Sequence, residues 1–387
     1  MVVKRMSKLE KLIAELCPNG VEFIKLGEHV KILRGKRLTT RDMVNDAQYP
    51  VYHGGIVPIG KYDKKNRNAN TTMIINVGAS AGTIGYSDVD FWSSDGCFCL
   101  EQTNLYDDRF LFHIMLTYER YLKSKVRRAG IPTLDNKVIE KLVLPVPPLE
   151  VQREIVRVLD SFTLLTAELT AELTARKKQY EFYREELLKQ KEGIAVVKLK
   201  EIAIITRGGS FQKKDFVENG FPAIHYGQIY TRYGISATKT LVDISDTVAQ
   251  KSKKAVKNDI VMAVTSENVE DVCKCVAWLG DEDIAVSGHT AIIHHSQNAK
   301  YLAYYFHTEA FAVQKRKLAH GAKVIEVTPD KLNDIVIPLP DLKEQERIVN
   351  LLDRFDSLCN DISEGLPAEI DARQKQYEYY RDKLLPL

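Results

Sequence analysis

Apolar residues recur every seven positions between Ile155 and Leu187. One series runs Leu159, Thr166, Leu173, Tyr180, Leu187; the other runs Ile155, Phe162, Leu169, Arg176, Tyr183. The alternating steps of three and four are those of a coiled-coil seam. The spacing predicts a helix of about 40 residues, roughly 60 Å long, more than one globular core needs. Pro147 and Pro148 suit its first turn, where a missing N–H costs nothing.

The pattern returns near the C-terminus. LPVPPLEVQREIVRVLD (Leu144–Asp160) matches IPLPDLKEQERIVNLLD (Ile337–Asp353), and ARKKQYEFYREELL (Ala175–Leu188) matches ARQKQYEYYRDKLL (Ala372–Leu385). Asp341 with Glu344 forms a possible capping box for the second copy. Asp160 and Ala175 are 15 positions apart, but Asp353 and Ala372 are 19 apart. The longer copy carries Gly365 and Pro367, so its helix is expected to kink or break there. The shorter copy contains Thr166-Ala167-Glu168-Leu169 followed by Thr170-Ala171-Glu172-Leu173. The simplest reading is two long helices packed on each other as a rod.

The repeat extends upstream. GVEFIKLGEHVKILRG (Gly20–Gly35) matches GIAVVKLKEIAIITRG (Gly193–Gly208), each an apolar-alternating strand, an Arg-Gly and a basic loop. YPVYH (Tyr49–His53) matches FPAIH (Phe221–His225). TTMIINVG and DGCFCLEQ in the first half, and DIVMAV, CKCVAWLG and HTAIIHH in the second, read as short strands between Gly and Asp turns. Helical basic patches follow at Tyr121–Arg128 and Ala312–His320, each ending at a glycine. The expected fold class is α+β. Two β-rich domains related by a pseudo-twofold would be separated by a long antiparallel helical coiled coil. The expected boundaries are 1–147 and 193–340 for the domains, with 148–192 and 341–387 for the long helices.

Composition narrows the function. A chain of 387 residues exceeds one ordinary core. Hydrophobic content of 44% and charged content of 28% are those of a soluble protein. No apolar run is long enough for a membrane span, and MVVKRMSKLEKL lacks a signal-peptide core, leaving the cytoplasm as the expected location. Six cysteines read as free thiols, and the C-x-C pairs Cys97/Cys99 and Cys273/Cys275 as buried strand residues rather than zinc ligands. No metal site is expected.

Catalytic motifs do not emerge. Gly55-x₄-Gly60-Lys61 has the frame of a phosphate loop, but Tyr62 stands where Ser or Thr would hold magnesium. There is no G-x-G-x-x-G, no Asn/Asp-Pro-Pro-aromatic motif and no metal-spaced histidine set. No catalytic residue and no bound cofactor are expected in this chain.

Recognition chemistry remains. Net charge is only +3, yet nine Lys/Arg face three Asp between Lys31 and Asn68, and nine face four acids between Ile205 and Lys257. Two matching basic segments point to a polyanion. The candidate DNA-binding residues in the first are Arg34, Lys36, Arg37, Arg41, His53, Lys61, Lys64, Lys65 and Arg67, among Tyr52 and Tyr62. In the second they are Arg207, Lys213, Lys214, His225, Tyr226, Gln228, Tyr230 and Arg232, with Tyr233 beside them. Lys and Arg neutralise phosphates, whereas Arg, Gln and His also read base edges. The helix faces carrying Tyr180, Tyr183, Tyr377 and Tyr380 offer more apolar surface than two helices bury on each other, which marks partner-binding surface.

The duplicated PVPPLEVQREI and PLPDLKEQERI helix starts, with the RKKQYEFYREELL and RQKQYEYYRDKLL ends, resemble the DNA-specificity subunits of type I restriction–modification systems. The resemblance covers essentially the whole chain. It implies a non-catalytic subunit whose two domains each read one half of a split, asymmetric double-stranded DNA target. It also implies a coiled coil that sets the gap, two modification (methyltransferase) subunits that methylate adenine with S-adenosylmethionine, and restriction subunits. It transfers no individual DNA contact. An enzyme with unrecognised motifs and a coiled-coil adaptor without DNA specificity are the alternatives.

Overall fold

The computed structural model describes residues 7–385. Packing divides the chain into two compact units, Met1–Thr170 with Glu369–Leu387, and Ala171–Ala368. Each expected spacer helix is therefore shared: its head packs into one unit and its tail into the other.

In the first unit, Glu22–Lys25 pairs antiparallel with Val143–Val146, bringing the start of the domain beside the start of its helix. The main sheet has the order Ile32–Arg34, Cys97–Leu100, Thr71–Ile75, Ile84–Ser87, all antiparallel. Every residue of Thr71–Ile75 is buried, as befits a central apolar run. A smaller sheet joins Gly60–Tyr62 and Trp92–Ser93 to either side of Tyr49–Tyr52, antiparallel to the former and parallel to the latter. Helix Asp108–Ser124 buries Phe110, Ile114 and Leu122 in a core that also contains Leu144, Ile155 and Leu159.

The second unit repeats the plan. Ala195–Lys198 pairs with Val336–Leu339. Its main sheet runs Ala203–Arg207, Thr290–His295, Ile260–Ala263, Cys275–Trp278, then adds the short parallel strand Ser236–Ala237. Its second sheet again places a parallel pair, Phe221–Ile224 with Ile284–Val286, next to antiparallel neighbours. The five expected short strands are present, but Gly20–Gly35 and Gly193–Gly208 are not single strands: each is two strands around a helical turn, Leu26–His29 or Leu199–Ile202. Gly60–Tyr62 is a sheet strand rather than a phosphate loop. All six cysteines are buried free thiols, with Cys97, Cys99 and Cys275 on strands.

The repeated Arg-Gly has a steric cause. Gly35 N–H donates to Cys97 O at 3.1 Å, and Gly208 N–H to Thr290 O at 2.9 Å. A Cβ at Gly35 would lie 1.7 Å from Ser94 O, and one at Gly208 2.2 Å from Ser287 O. Only glycine fits where the edge strand crosses between the two sheets.

The first long helix, Leu149–Leu188, is continuous over 40 residues. The second copy breaks as expected into Leu342–Asn360 and Leu366–Leu384. Gly365 sits in the break, where a Cβ would meet Ser357 O at 2.5 Å. Asp341 caps the first piece by accepting from Glu344 N–H at 2.8 Å. Glu344 turns to Arg347 instead of back to the cap, so half of the expected capping box forms.

The repeated glutamine of the helix starts joins helix to domain. Gln152 is fully buried; its amide donates to Leu105 O at 3.0 Å and Pro147 O at 2.8 Å, and its carbonyl accepts from Asp107 N–H at 2.7 Å. Gln345, also fully buried, donates to Pro340 O at 2.8 Å and Gln297 Oε1 at 2.9 Å, and accepts from Asn298 N–H at 3.0 Å. Asp107 and Asn298 are the N-caps of the domain helices Asp108–Ser124 and Ala299–Tyr305. The heads of the long helices are thus bolted to their domains, with Ile155 and Leu159, or Ile348 and Leu352, in the core rather than on a helix–helix seam.

Candidate nucleic-acid interface

The basic loop after Gly35 is anchored to the small sheet of the first unit. Lys36 N–H donates to Ser93 O at 2.8 Å, and Trp92 Nε1 donates to Lys36 O at 2.9 Å. Arg41 follows in a single 3₁₀ turn, Thr40–Asp42, closed by Thr39 N–H donating to the Asp42 carboxylate at 3.1 Å. Val44 N–H then donates to Lys61 O at 3.0 Å, tying that loop to the strand carrying Lys61. Arg34, Lys36, Arg37, Arg41, Lys61 and Lys64 are exposed and form no ion pair among the described residues. The framework holds their backbones and leaves their cations to solvent, the arrangement phosphate contacts need.

Three first-unit candidates are partly committed elsewhere. Lys65 pairs with Asp90 at 2.6 Å and His53 with Asp95 at 3.4 Å. Arg67 donates to Asn66 O at 2.6 Å and Arg34 O at 2.8 Å, so its guanidinium braces the backbone.

The second unit reproduces the turn. Lys213–Asp215 is again 3₁₀, closed by Gln212 N–H donating to Asp215 at 2.8 Å, and Lys213 and Lys214 are exposed on it. Arg232, just beyond helix Tyr226–Thr231, is exposed and forms no ion pair among the described residues. The other candidates are engaged by partners within the unit. Arg207 donates to Gly288 O at 3.0 Å and pairs with Glu326 at 2.9 Å. His225 is buried among Phe211, Phe216 and Tyr226. Burial, aided by Lys213 and His289, holds its pKa below the usual histidine value, so the ring is neutral and accepts from Gly227 N–H at 3.2 Å. Gln228 caps that helix by accepting from His225 N–H at 3.1 Å. Tyr230 donates to Thr265 O, and Tyr226 is half-buried against His289.

Lys239, Lys251 and Lys253 were not singled out by sequence. All three are exposed without an ion pair among the described residues. Lys253 N lies 3.0 Å from where a Gly209 Cβ would stand, which places it beside the Arg-Gly loop. The signal was the charge excess of the whole segment rather than any motif.

The four tyrosines divide into two kinds. Within the first unit, His113 bridges Asp160 (2.7 Å) and the Tyr377 hydroxyl (3.0 Å), Arg109 also grips Asp160 (3.0 Å), and Tyr380 stacks on Phe162 at 5.3 Å. Within the second, Tyr304 and Lys300 grip Asp353 at 2.7 and 2.5 Å, Tyr180 donates to Asp356 at 3.3 Å, and Tyr183 stacks on Phe355 at 5.4 Å. Tyr180 and Tyr377 are thus turned into their own units, and burial raises both hydroxyl pKa values, that of Tyr377 to about 12. Tyr183 and Tyr380 keep about a third of their surface, 36% and 37%. The most exposed aromatics are instead their matched neighbours, Phe182 at 61% and Tyr379 at 59%. Phe182 belongs to neither heptad series, which was the signal that it faces outward.

Among the described residues no group of His, Cys, Asp or Glu could hold a metal, and no helix is long and apolar enough to cross a membrane.

Both halves of the chain match known proteins. Residues 18–176 and 191–372 each match the family model described as the type I restriction modification DNA specificity domain. The EcoR124I/EcoR124II specificity subunit of Escherichia coli is 33% identical over 418 residues, covering 99% of this chain and 97% of that one. The MjaVIII specificity subunit of Methanocaldococcus jannaschii is 26% identical, covering 96% and 92%. Among solved structures, a chain from a type I restriction–modification system matches with a TM-score of 0.60 at 20% identity, covering 95% and 98%. The S subunit from M. genitalium matches at 0.57 and 16%, covering 95% and 97%, and both support the same fold. The chain belongs to the family of type I restriction–modification DNA specificity subunits.

Proposed function

We propose that this chain is the non-catalytic, DNA-recognising subunit of a type I complex, and that each unit reads one half of a split, asymmetric target. The observation that carries this is repetition with divergence. Sheet order, Arg-Gly crossing, 3₁₀ turn and glutamine bolt recur in both units, while the exposed groups they present differ. A shared frame with unlike edges suits two different half-sites. In this reading two modification subunits bind S-adenosylmethionine and methylate adenine, and restriction subunits complete the assembly. The chain itself supplies phosphate contacts from Lys36, Arg37, Arg41, Lys61, Lys64, Lys213 and Lys214, and base contacts from side chains such as Arg232. Purified alone, it should transfer no methyl group.

The test is exchange of Gly193–Pro338 for the matching segment of a relative, followed by methylome sequencing of a host carrying the variant and its partner. One half of the target should change and the other should persist. A change in both halves would refute independent reading.

For the partner, the matched exposed pairs Phe182/Tyr183 and Tyr379/Tyr380 are two copies of one surface, as two copies of one subunit require. Phe182→Asp and Tyr379→Asp should each remove one modification subunit, read as a stepwise loss of mass in sedimentation. Full assembly by the double variant would rule this surface out.

A further inference from the structure

The second unit has a hollow walled by aromatic rings. It encloses about 380 Å³ and is walled by Tyr226, Tyr230 and His289, with Thr265, Glu267 and Asp271 at its rim. The walls are fixed. Tyr230 is tethered through its hydroxyl to Thr265 O, His289 Nδ1 meets Thr265 Oγ1 at 3.0 Å, and the Tyr226 and His289 rings lie 4.9 Å apart at 56°. Asp271 is neutralised by Lys274 at 2.6 Å and held by Asn268 at 2.9 Å. Glu267 is exposed and forms no ion pair among the described residues. At the matching place the first unit has His53-Gly54-Gly55 and Gly96, so glycines stand where the second unit has Tyr226 and His289.

The chemistry narrows the occupant. Fixed aromatic faces stack on a flat ring of any sequence. No Lys or Arg lines the hollow, so it does not suit a phosphate. A free carboxylate accepts from an exocyclic amine, which adenine, cytosine and guanine carry and thymine lacks. The volume exceeds that of one base. Resting on the DNA-reading function proposed above, we propose that this hollow takes one amino-bearing base, adenine, cytosine or guanine, unstacked from the half-site read by the second unit. Sequence would then be read there by extraction of a base as well as by contact in the groove. Unstacking favours flexible pyrimidine–purine steps, so the extracted base should lie at such a step.

The experiment uses the chain assembled with its modification subunits and the target found by methylome sequencing. Each adenine of the second unit's half-site is replaced in turn by 2-aminopurine, each cytosine by pyrrolocytosine and each guanine by a fluorescent pteridine analogue. One position other than the methylated adenine, which the modification subunit itself extrudes, should brighten on binding. Tyr226→Ala should abolish that signal and weaken binding roughly ten- to a hundredfold. Because Tyr226 also packs on His225, Glu267→Gln, at an exposed position, provides the second arm: it should relax the choice of base at that position alone. No brightening at any position but the methylated adenine, with both variants within twofold of wild type, would overturn the proposal. So would saturation of the hollow by free adenosine or cytidine without competition from target DNA, which would make it a nucleoside site. Failure of the specificity reading itself looks different, since the wild-type complex would then select no sequence.

Discussion

The two units solve one mechanical problem with different chemistry. In the first, an aspartate on the helix head is gripped by arginine and histidine, and the histidine passes the bond on to Tyr377. In the second, the matching aspartate is gripped by lysine and tyrosine, and Tyr180 bonds to the neighbouring Asp356. Charge type, ring type and donor all change, yet a carboxylate still faces one cation and one ring in each unit. The glutamine bolt shows the opposite behaviour. Two of its three partners correspond position for position, the carbonyl of Pro147 or Pro340 and the N–H of Asp107 or Asn298, while the third is Leu105 O in the first unit and the Gln297 side-chain oxygen in the second. The two repeated backbone partners are fixed by the fold, whereas the other partners are exchangeable.

The largest effect expected from this comparison is at the bolt. Gln152→Leu keeps the volume but strips Asp107 N–H, Leu105 O and Pro147 O of their partner. Each unsatisfied buried group costs about 1–3 kcal/mol, so roughly 2–4 kcal/mol in all is expected once local relaxation is allowed for. The loss should appear as faster amide exchange in the first unit only, and that of Gln345→Leu in the second only. Equal exchange in both units from either variant would break the equivalence.

Much of the frame was legible in the sequence because it rests on local cues. Thr71–Ile75 and Ile260–Ala263 are short apolar runs between turn residues, and Gly365 with Pro367 announced the break. The parallel pairing of Tyr49–Tyr52 with Trp92–Ser93 was not legible, since it joins segments some forty residues apart with no turn signal. The fate of individual site residues was hidden for a related reason. His53 and His225 match in sequence, but Phe211 and Phe216 cover only the second, so one is exposed and the other buried. Composition identifies a basic segment; which of its cations are free depends on acids such as Asp90 and Glu326, far off in the chain.

The joining helices offer a sharper contrast. One copy is broken at Gly365, whereas the other is continuous through its doubled Thr-Ala-Glu-Leu, where the chain passes between units. Deleting Thr170–Leu173 removes roughly 6 Å of helix and, being just over one turn, rotates the downstream part of the helix by only about 40°. At about 3.4 Å per base step this is just under two base pairs. Methylome sequencing of the deletion strain should show a gap shorter by one or two pairs with both half-sites intact. An unchanged gap with full activity, or altered half-site bases, would show that the segment sets no distance.

The smallest effect expected is electrostatic and belongs to one unit. Glu154 is buried on the helix head, bonded to Arg157 at 2.7 Å and Lys8 at 2.8 Å. The matching position in the second unit is Arg347, on the surface. The Arg157 hydrogen bond, opposed by burial and supported by Lys8, brings the carboxyl pKa down to about 2. An unfolded glutamate titrates near 4.3, so over this interval the unfolded chain binds the extra proton and the folded chain does not. The stabilisation is therefore complete above about pH 4.3 and is lost as pH falls towards 2. Because Lys8 and Arg157 are themselves largely exposed, the full shift overstates it, and about 1–2 kcal/mol is expected. Glu154→Gln should be less stable than wild type by that amount at pH 6, and the gap should close on acidification. Denaturant titrations between pH 6 and pH 2.5, with amide exchange to assign the change to the first unit, measure it. A difference that stays constant across that range would mean that Glu154 acts through packing rather than charge.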